Sequence, residues 1–343
     1  MKSRNSLIYI LATIALIAGM ALPAFGDDGN ASDQGADSNA ILNQTKTKLD
    51  QSAPGSNSTP GAEVVDQLIT NNELRAISGS LSKWSIASTF DYLGGTITSP
   101  LSQDRPDISA SSGTTTKSDL DGAISVKYNI DGKNSLMAGI GLRWIAPLTL
   151  GGPSNYDGTT FDVMNPYLQY QRVYKFLGIQ AVTQIQDMQW TQADQTAVGY
   201  ANQLSVDQEN MYAIPHSKFS IGASTWAQYQ WFNKSGSYGA ASDPNFIADV
   251  ATVQSVYAFG IDPVIEYQIS PKVNLRTLAS LWTYEHYGSQ AAGALIHDNI
   301  YQSIGVGISI TRDIFLYPNL QFLPGDFAAN ETNVGVTATI NVF

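Results

Sequence analysis

Two of the three histidines in this 343-residue chain, His286 and His297, sit beside the carboxylates Glu285 and Asp298. An imidazole next to a carboxylate is the pairing that activates a water or hydroxyl nucleophile. Adjacent residues on a strand point to opposite faces, however, so neither neighbouring pair is itself a dyad. The third, His216, falls in a solvated turn at Pro215–Lys218. There is no HExxH pattern, no cysteine and hence no Cys/His cluster, and no phosphate-binding glycine loop. Gly139-x-Gly141 and Gly305-x-Gly307 lie inside strand-like runs, where glycine eases curvature or leaves room. No catalytic residue, cofactor or metal site is assigned. The remaining chemistry is charge. Asp91, Asp119, Asp121, Asp207, Glu209, Asp262 and Glu266, with Lys127, Arg143, Lys272 and Arg276, occupy positions that alternate with apolar ones. Such groups either line a polar passage and set its selectivity, or pair with one another and brace a closed interior.

The elements that position these charges follow from a two-residue rhythm running from Trp84 to the end of the chain. Leu120, Ile124, Val126, Tyr128 and Ile130 alternate with Asp121, Ser125, Lys127 and Asn129. Ile300, Ile304, Val306, Ile308 and Ile310 alternate with Ser303, Gly305, Gly307 and Ser309. Each segment therefore has one apolar and one small or polar face. Short turns are expected at Asp131–Lys133, Phe176–Gly178, Pro215–Lys218, Ser270–Lys272 and Thr311–Asp313. Longer polar connections are expected at Gly95–Lys117, Gly151–Thr160, Gln192–Ala197, Lys234–Asp249, Gly288–Asp298 and Pro324–Glu331. Short and long connections alternate, which predicts twelve strands with both chain ends on one side. Strand six places Val198, Tyr200, Leu204, Val206, Tyr212 and Ile214 on one face, and Gly199, Ala201, Ser205, Asp207 and Glu209 on the other. In strand five, Ile179, Ala181 and Ile185 face outward. A β-bulge near Asp187-Met188 would keep Asp187 from following them and would turn Met188 and Trp190 out. The stretch Phe161–Tyr174 has no single phase.

Ahead of the strands, residues 1–26 have the layout of a secretory signal peptide: Lys2 and Arg4, the apolar run Leu7–Met20, and Ala24-Phe25-Gly26 as a small-x-small cleavage site. Residues 27–60 are polar and read as a disordered linker. Residues 61–82 read as a short helical segment. Val64, Val65, Leu68 and Ile69 recur at helical spacing, and Thr70-x-x-Glu73 has the form of a capping box. This segment either enters the barrel as a plug or docks on a periplasmic partner. No later stretch approaches the ~20 apolar residues of a spanning helix. An exported chain with many alternating strands is thus expected to close into a barrel, because lipid cannot satisfy open strand edges. The formal charge is −11, or −13 without Lys2 and Arg4, which argues against nucleic acid as a partner.

Aromatic residues cluster at the expected strand ends. Trp84, Tyr128, Tyr174, Tyr212, Phe219, Tyr267 and Phe315 fall toward one side; Tyr92, Trp190, Trp231, Tyr257, Trp282 and Tyr301 fall toward the other. Amphipathic rings prefer the two membrane interfaces. With the signal-like start, the alternation over residues 83–343 and the terminal Phe343, the chain resembles Gram-negative outer-membrane β-barrel proteins as a broad class. Val334, Val336, Ala338, Ile340 and Val342 run one step out of phase with Phe343, a departure from the usual last strand of that class. The resemblance implies an all-β, transmembrane, antiparallel up-and-down barrel of about 12 strands. It also implies insertion by barrel-assembly machinery that reads the last strand, and contact with outer-membrane lipid. Twelve-stranded barrels of this class include passive channels, nucleoside and sugar channels, proteases and a phospholipase. The expectation is a channel for small hydrophilic solutes lined by Asp91, Asp119, Asp121, Lys127, Arg143, Asp207, Glu209, Asp262, Glu266 and Arg276. The alternatives are a closed barrel that acts through its outer loops and a hydrolase at the outer rim. A soluble secreted β-sandwich is the rival fold.

Overall fold

The computed structural model describes residues 62–108, 115–148, 161–235, 237–240, 243–249, 251, 253–298, 300–325 and 327–342. The expected signal peptide, the linker and Phe343 lie outside the described residues. Twelve antiparallel strands form one closed ring in sequence order. They are β1 Trp84–Thr96, β2 Asp119–Asn129, β3 Asn134–Ile145, β4 Phe161–Phe176, β5 Ile179–Gln189 and β6 Tyr200–Ala213. Then come β7 Phe219–Phe232, β8 Ser255–Ser270, β9 Val273–Ser280 continued by Trp282–Tyr287, β10 Tyr301–Ser309, β11 Ile314–Phe322 and β12 Asn333–Val342. The ring closes where β12 pairs with β1, from Ile86 opposite Val342 to Thr96 opposite Asn333. Closure leaves no open edge, and the large apolar side chains that the ring exposes, among them Ile124, Val126, Leu136, Leu168, Ile265 and Ile304, share the outward phase. That outer band is the surface a bilayer solvates, so the ring is a membrane-spanning barrel.

The turns explain why the register holds. Phe176 pairs with Ile179 across Leu177 and Gly178, which have φ of 49° and 83°. Positive φ at both central residues is the turn that matches the strand twist of a two-residue hairpin. At the β2–β3 turn, Asp131 Oδ1 accepts from Lys133 N at 2.7 Å and from Asn134 N at 2.8 Å. Partial burial pushes the Asp131 carboxyl up, but the Asn134 side chain and these backbone N–H groups outweigh it and hold the carboxyl below the usual range. A depressed folded pKa gives stability that is full above the unfolded value of ~3.9 and is lost as pH falls through the folded pKa. Asp131→Asn is therefore expected to flatten the acid limb of the stability curve. Denaturant midpoints from pH 2 to 6, compared with the parent, check this.

Two phase changes depart from simple alternation. In β4, Phe161 and Val163 face outward, but so do Leu168 and Phe176, which have the opposite parity. Between them the β3–β4 register slips and Asn165 takes a φ of 52°. Asn165 is fixed there by Thr191, whose Oγ1 accepts from Asn165 N at 2.7 Å and whose N donates to Asn165 Oδ1 at 3.0 Å. This bulge is why Phe161–Tyr174 has no single phase. The bulge expected near Asp187-Met188 is absent: β5 pairs without a slip on both sides. Asp187 follows Ile185 outward near the loop end of the strand, close enough to the rim to be solvated. In β6 the slip lies between Tyr200 and Asn202. Tyr200 is thereby buried against Trp190 and Phe232, rather than sharing a lipid face with Leu204 and Val206.

Two short helices, α1 Ala62–Leu68 and α2 Asn72–Ser78, precede β1. They contact or hydrogen-bond to β2, β4, β5, β8, β9, β11 and β12. One segment can touch strands all around a ring only from inside it, so α1 and α2 sit in the lumen, at the short-turn end. A third helix, α3 Ala193–Ala197, lies in the connection from β5 to β6.

Candidate functional site: the barrel lumen

The lumen is built in two halves. At the turn end, Val65, Ile69 and Leu74 of the helical segment pack on Val173, Val182, Met211 and Val264 of the wall. Burying a side chain of this kind contributes about 1.5–3 kcal/mol. These wall residues are apolar exceptions on otherwise polar inward faces. α2 starts at Asn71, whose Oδ1 accepts from Leu74 N at 3.0 Å, and not at Thr70 as a capping box would require. Thr70 is used otherwise: Gln180 Oε1 accepts from Thr70 N at 2.7 Å and Asn71 N at 2.9 Å, and Gln180 Nε2 donates to Thr70 Oγ1. The helix ends at Gly79, with φ of 79°. Lys127 Nζ and Gln171 Nε2 both donate to the Ser78 carbonyl, which the helix end leaves free.

Three of the expected lumen charges hold this segment. Arg276 NH1 donates to both Glu73 and Glu266, the latter at 2.7 Å, and Asn71 Nδ2 donates to Glu266 Oε2 at 2.7 Å. Glu73 therefore binds a wall guanidinium and does not close a capping box. Glu209 stands nearby, opposite Ser224 in register. Arg312, in the β10–β11 turn, donates to Asp66 Oδ1 at 2.8 Å and to Gly79 O at 2.6 Å. Lys272 leaves the inward set; it is exposed in the β8–β9 turn, where alternation no longer applies.

Toward the loop end the lumen is charged on the β1–β3 wall. Asp119 lies 3.4 Å from Arg105 and 3.6 Å from Arg143, and Arg143 lies 3.5 Å from Asp121. Asp91 is opposite both Asp121 and Thr337 in register. On the far wall Asp207 accepts from Ser205 at 3.2 Å, and Ser280 and Trp226 lie within reach of Asp262. Solvent reaches some of these groups and not others: the side chains of Arg276 and Glu266 are 4% and 3% exposed and those of Asp121 and Arg143 are 45% and 33% exposed, while Arg105 and Asp119 at the loop end are 12% and 7% exposed.

Three aromatic residues expected at the interfaces are instead inside. Phe315 packs with Ala76 and Tyr317 beneath α2, Tyr301 shares the inward phase of Ser303, and the Trp190 ring meets Tyr200. Trp84, Phe219, Tyr267, Trp231 and Trp282 are exposed near strand ends. At the outer rim the two histidines serve the hairpin formed by Trp282–Tyr287 and Ile296–His297. His286 stacks on Tyr257 with centroids 4.8 Å apart, and its Nδ1 lies 2.7 Å from Ala294 O. His297 Nε2 lies 2.9 Å from Leu281 O. Glu285 accepts from the Tyr287 hydroxyl.

No family model matches the chain, and no curated protein matches it. Solved barrels do. The COG4313 outer membrane channel from Pseudomonas putida F1 aligns at 8% identity and TM-score 0.46, over 77% of this chain and 98% of that one. The translocator domain of autotransporter NalP from Neisseria meningitidis aligns at 10% identity and TM-score 0.38, over 90% and 98%. The outer membrane phospholipase A from Escherichia coli aligns at 12% identity and TM-score 0.34, over 75% and 89%.

Proposed function

We propose that this chain is a channel for small hydrophilic solutes, closed at its turn end by its own α1–α2 segment. The observation that carries the reading is the difference between the two ends of the lumen: a turn end filled by the two helices, and a loop end where solvent reaches the charged Asp121–Arg143 pair. A barrel that served only as a rigid wall has no need of a water-accessible Asp121–Arg143 pair. Carboxylates outnumber guanidiniums in the open half, with Asp91, Asp119, Asp121, Asp207 and Asp262 against Arg105 and Arg143, which favours cations and neutral solutes over anions. Among the described residues neither histidine ring bonds a carboxylate or a hydroxyl; each is held through one nitrogen by a backbone carbonyl of its own hairpin, so the rim geometry adds nothing to a hydrolase reading.

Planar-bilayer recordings test the reading. A chain beginning at Leu81 is expected to show stable unitary steps with a cation-selective reversal potential. Asp91→Asn with Asp121→Asn is expected to lower the cation-to-anion permeability ratio by roughly twofold. Silence from inserted protein would leave the closed barrel acting through its outer loops. Anion selectivity would contradict the role given to the carboxylates.

A further inference from the structure

The wall that continues from the charged one, from β4 round to β7, is made largely of amides. Reading across β4, β5, β6 and β7 in register, Gln171 is opposite Gln184, Gln184 opposite Asp207, and Asp207 opposite Trp226. One step toward the loops the row is Gln169, Gln186, Ser205 and Gln228. The next is Tyr167, Met188, Gln203 and Gln230. This four-strand surface carries no cation. Gln171 is fully engaged, accepting from Gln184 at 3.1 Å and donating to the Ser78 carbonyl at 3.1 Å; the amides nearer the loops are little used. The side chains of Gln169, Gln186, Gln203 and Gln228 make no hydrogen bond to another described residue. Gln230 is 5% exposed, and its Oε1 has no partner. Gln169, Gln186 and Gln228 are half-buried on the inward phase, and inward amides without a protein partner are poised for a ligand or for water.

Two aromatic rings frame the surface, and each is laid flat by a glycine. Trp226 pairs with Gly260, where a Cβ would come within 2.6 Å of the indole nitrogen. Tyr167 pairs with Gly139, where a Cβ would come within 2.6 Å of the phenol oxygen. With no side chain beneath, each ring packs over the backbone of the neighbouring strand, Trp226 reaching Asp262 and Tyr167 reaching Ser125.

We propose that this wall binds neutral saccharides, which makes a polyhydroxylated molecule the solute class of the channel proposed above, on whose open lumen the inference rests. Amides offer paired donors and acceptors to vicinal hydroxyls without selecting charge. Asp207 accepts from a hydroxyl. The flat ring faces receive the C–H face of a pyranose. The absence of Lys and Arg gives an acidic sugar or a phosphate ester nothing to pair with.

The experiment uses the full chain folded in detergent and read by tryptophan fluorescence, with maltotriose, a uronic-acid trisaccharide and a polyethylene glycol of similar mass as probes. Maltotriose is expected to give a saturable change at millimolar concentration, at least tenfold tighter than the polymer or the acidic trisaccharide. The change is expected to be lost in Trp226→Phe and weakened about tenfold in the pair Gln186→Leu, Gln228→Leu, with the circular dichroism of both variants unchanged, which shows that they fold. Equal response to sugar and polymer, or an unchanged response in both variants, would overturn the saccharide assignment and leave the channel standing. A saturable change in a protein that stays silent in the bilayer recordings above would uphold the wall and drop the channel reading.

Discussion

Replacing Arg276 with alanine is expected to destabilise the folded chain by about 3–5 kcal/mol, because it leaves two buried carboxylates facing one another without a counter-charge. Glu73 and Glu266 both depend on this guanidinium, and Glu266 otherwise has the Asn71 amide. The loss comes from the stranded charges more than from the missing bonds. Adding Glu73→Gln and Glu266→Gln to Arg276→Met should therefore recover most of it, since a neutral cluster of similar volume avoids the penalty. Urea unfolding in detergent of the single, double and combined variants separates these contributions. A cost below about 1 kcal/mol for Arg276→Ala would mean that water enters the cluster and that the helices are held by their apolar contacts alone.

The chain that retains α1 and α2 is expected to be nearly silent in a bilayer at low voltage, and the chain beginning at Leu81 to conduct continuously. The helices occupy the turn end from wall to wall: Gln180 and Arg276 bind α2 on one side, Lys127 and Asn341 on the other. Arg276→Ala in the longer chain should give intermittent openings, because it weakens the docking without removing the segment. Equal conductance from the long and short chains would show that the helices leave the lumen readily, and their role would then lie outside it.

The barrel was legible because lipid outside and water inside impose a strict alternation, and because short and long connections take turns. Leu120–Ile130 and Ile300–Ile310 follow that rule except at Gly122 and at Gln302, which bonds the neighbouring Thr277 in the outward phase. Legibility failed where one residue is inserted. The Asn165 bulge reverses the parity of β4, and its cause is a pair of hydrogen bonds to Thr191 that lies 26 positions away. A cap assignment failed for a similar reason, since Gln180 and Arg276 reach α2 from the wall and claim Thr70 and Glu73. The docking of the helices had a visible signal that alternation alone does not interpret. Val173, Val182, Met211 and Val264 are apolar in the inward phase, and an apolar patch facing water inside a barrel calls for a cover. The amide wall left no such mark. Glutamines carry no charge and match the polar phase, so only the strand register brings them into rows.

Asn341 Nδ2 donates to the carbonyl of Ala76, across 265 positions of sequence, and Arg312 reaches Gly79 across 233. The segment that precedes the first strand is thus bonded to the last strand and to the turn before β11. Its docking cannot be completed until the final strand has arrived. Ring closure brings β12 to β1 and, in the same movement, brings Asn341 to α2. The slowest contacts to form in a chain are those of greatest separation, and here they serve two tasks at once. Assembly is therefore expected to end in a single late step. An unclosed intermediate would carry its amino-terminal helices undocked, with the apolar faces of Val65, Ile69 and Leu74 open to whatever escorts the chain to the membrane.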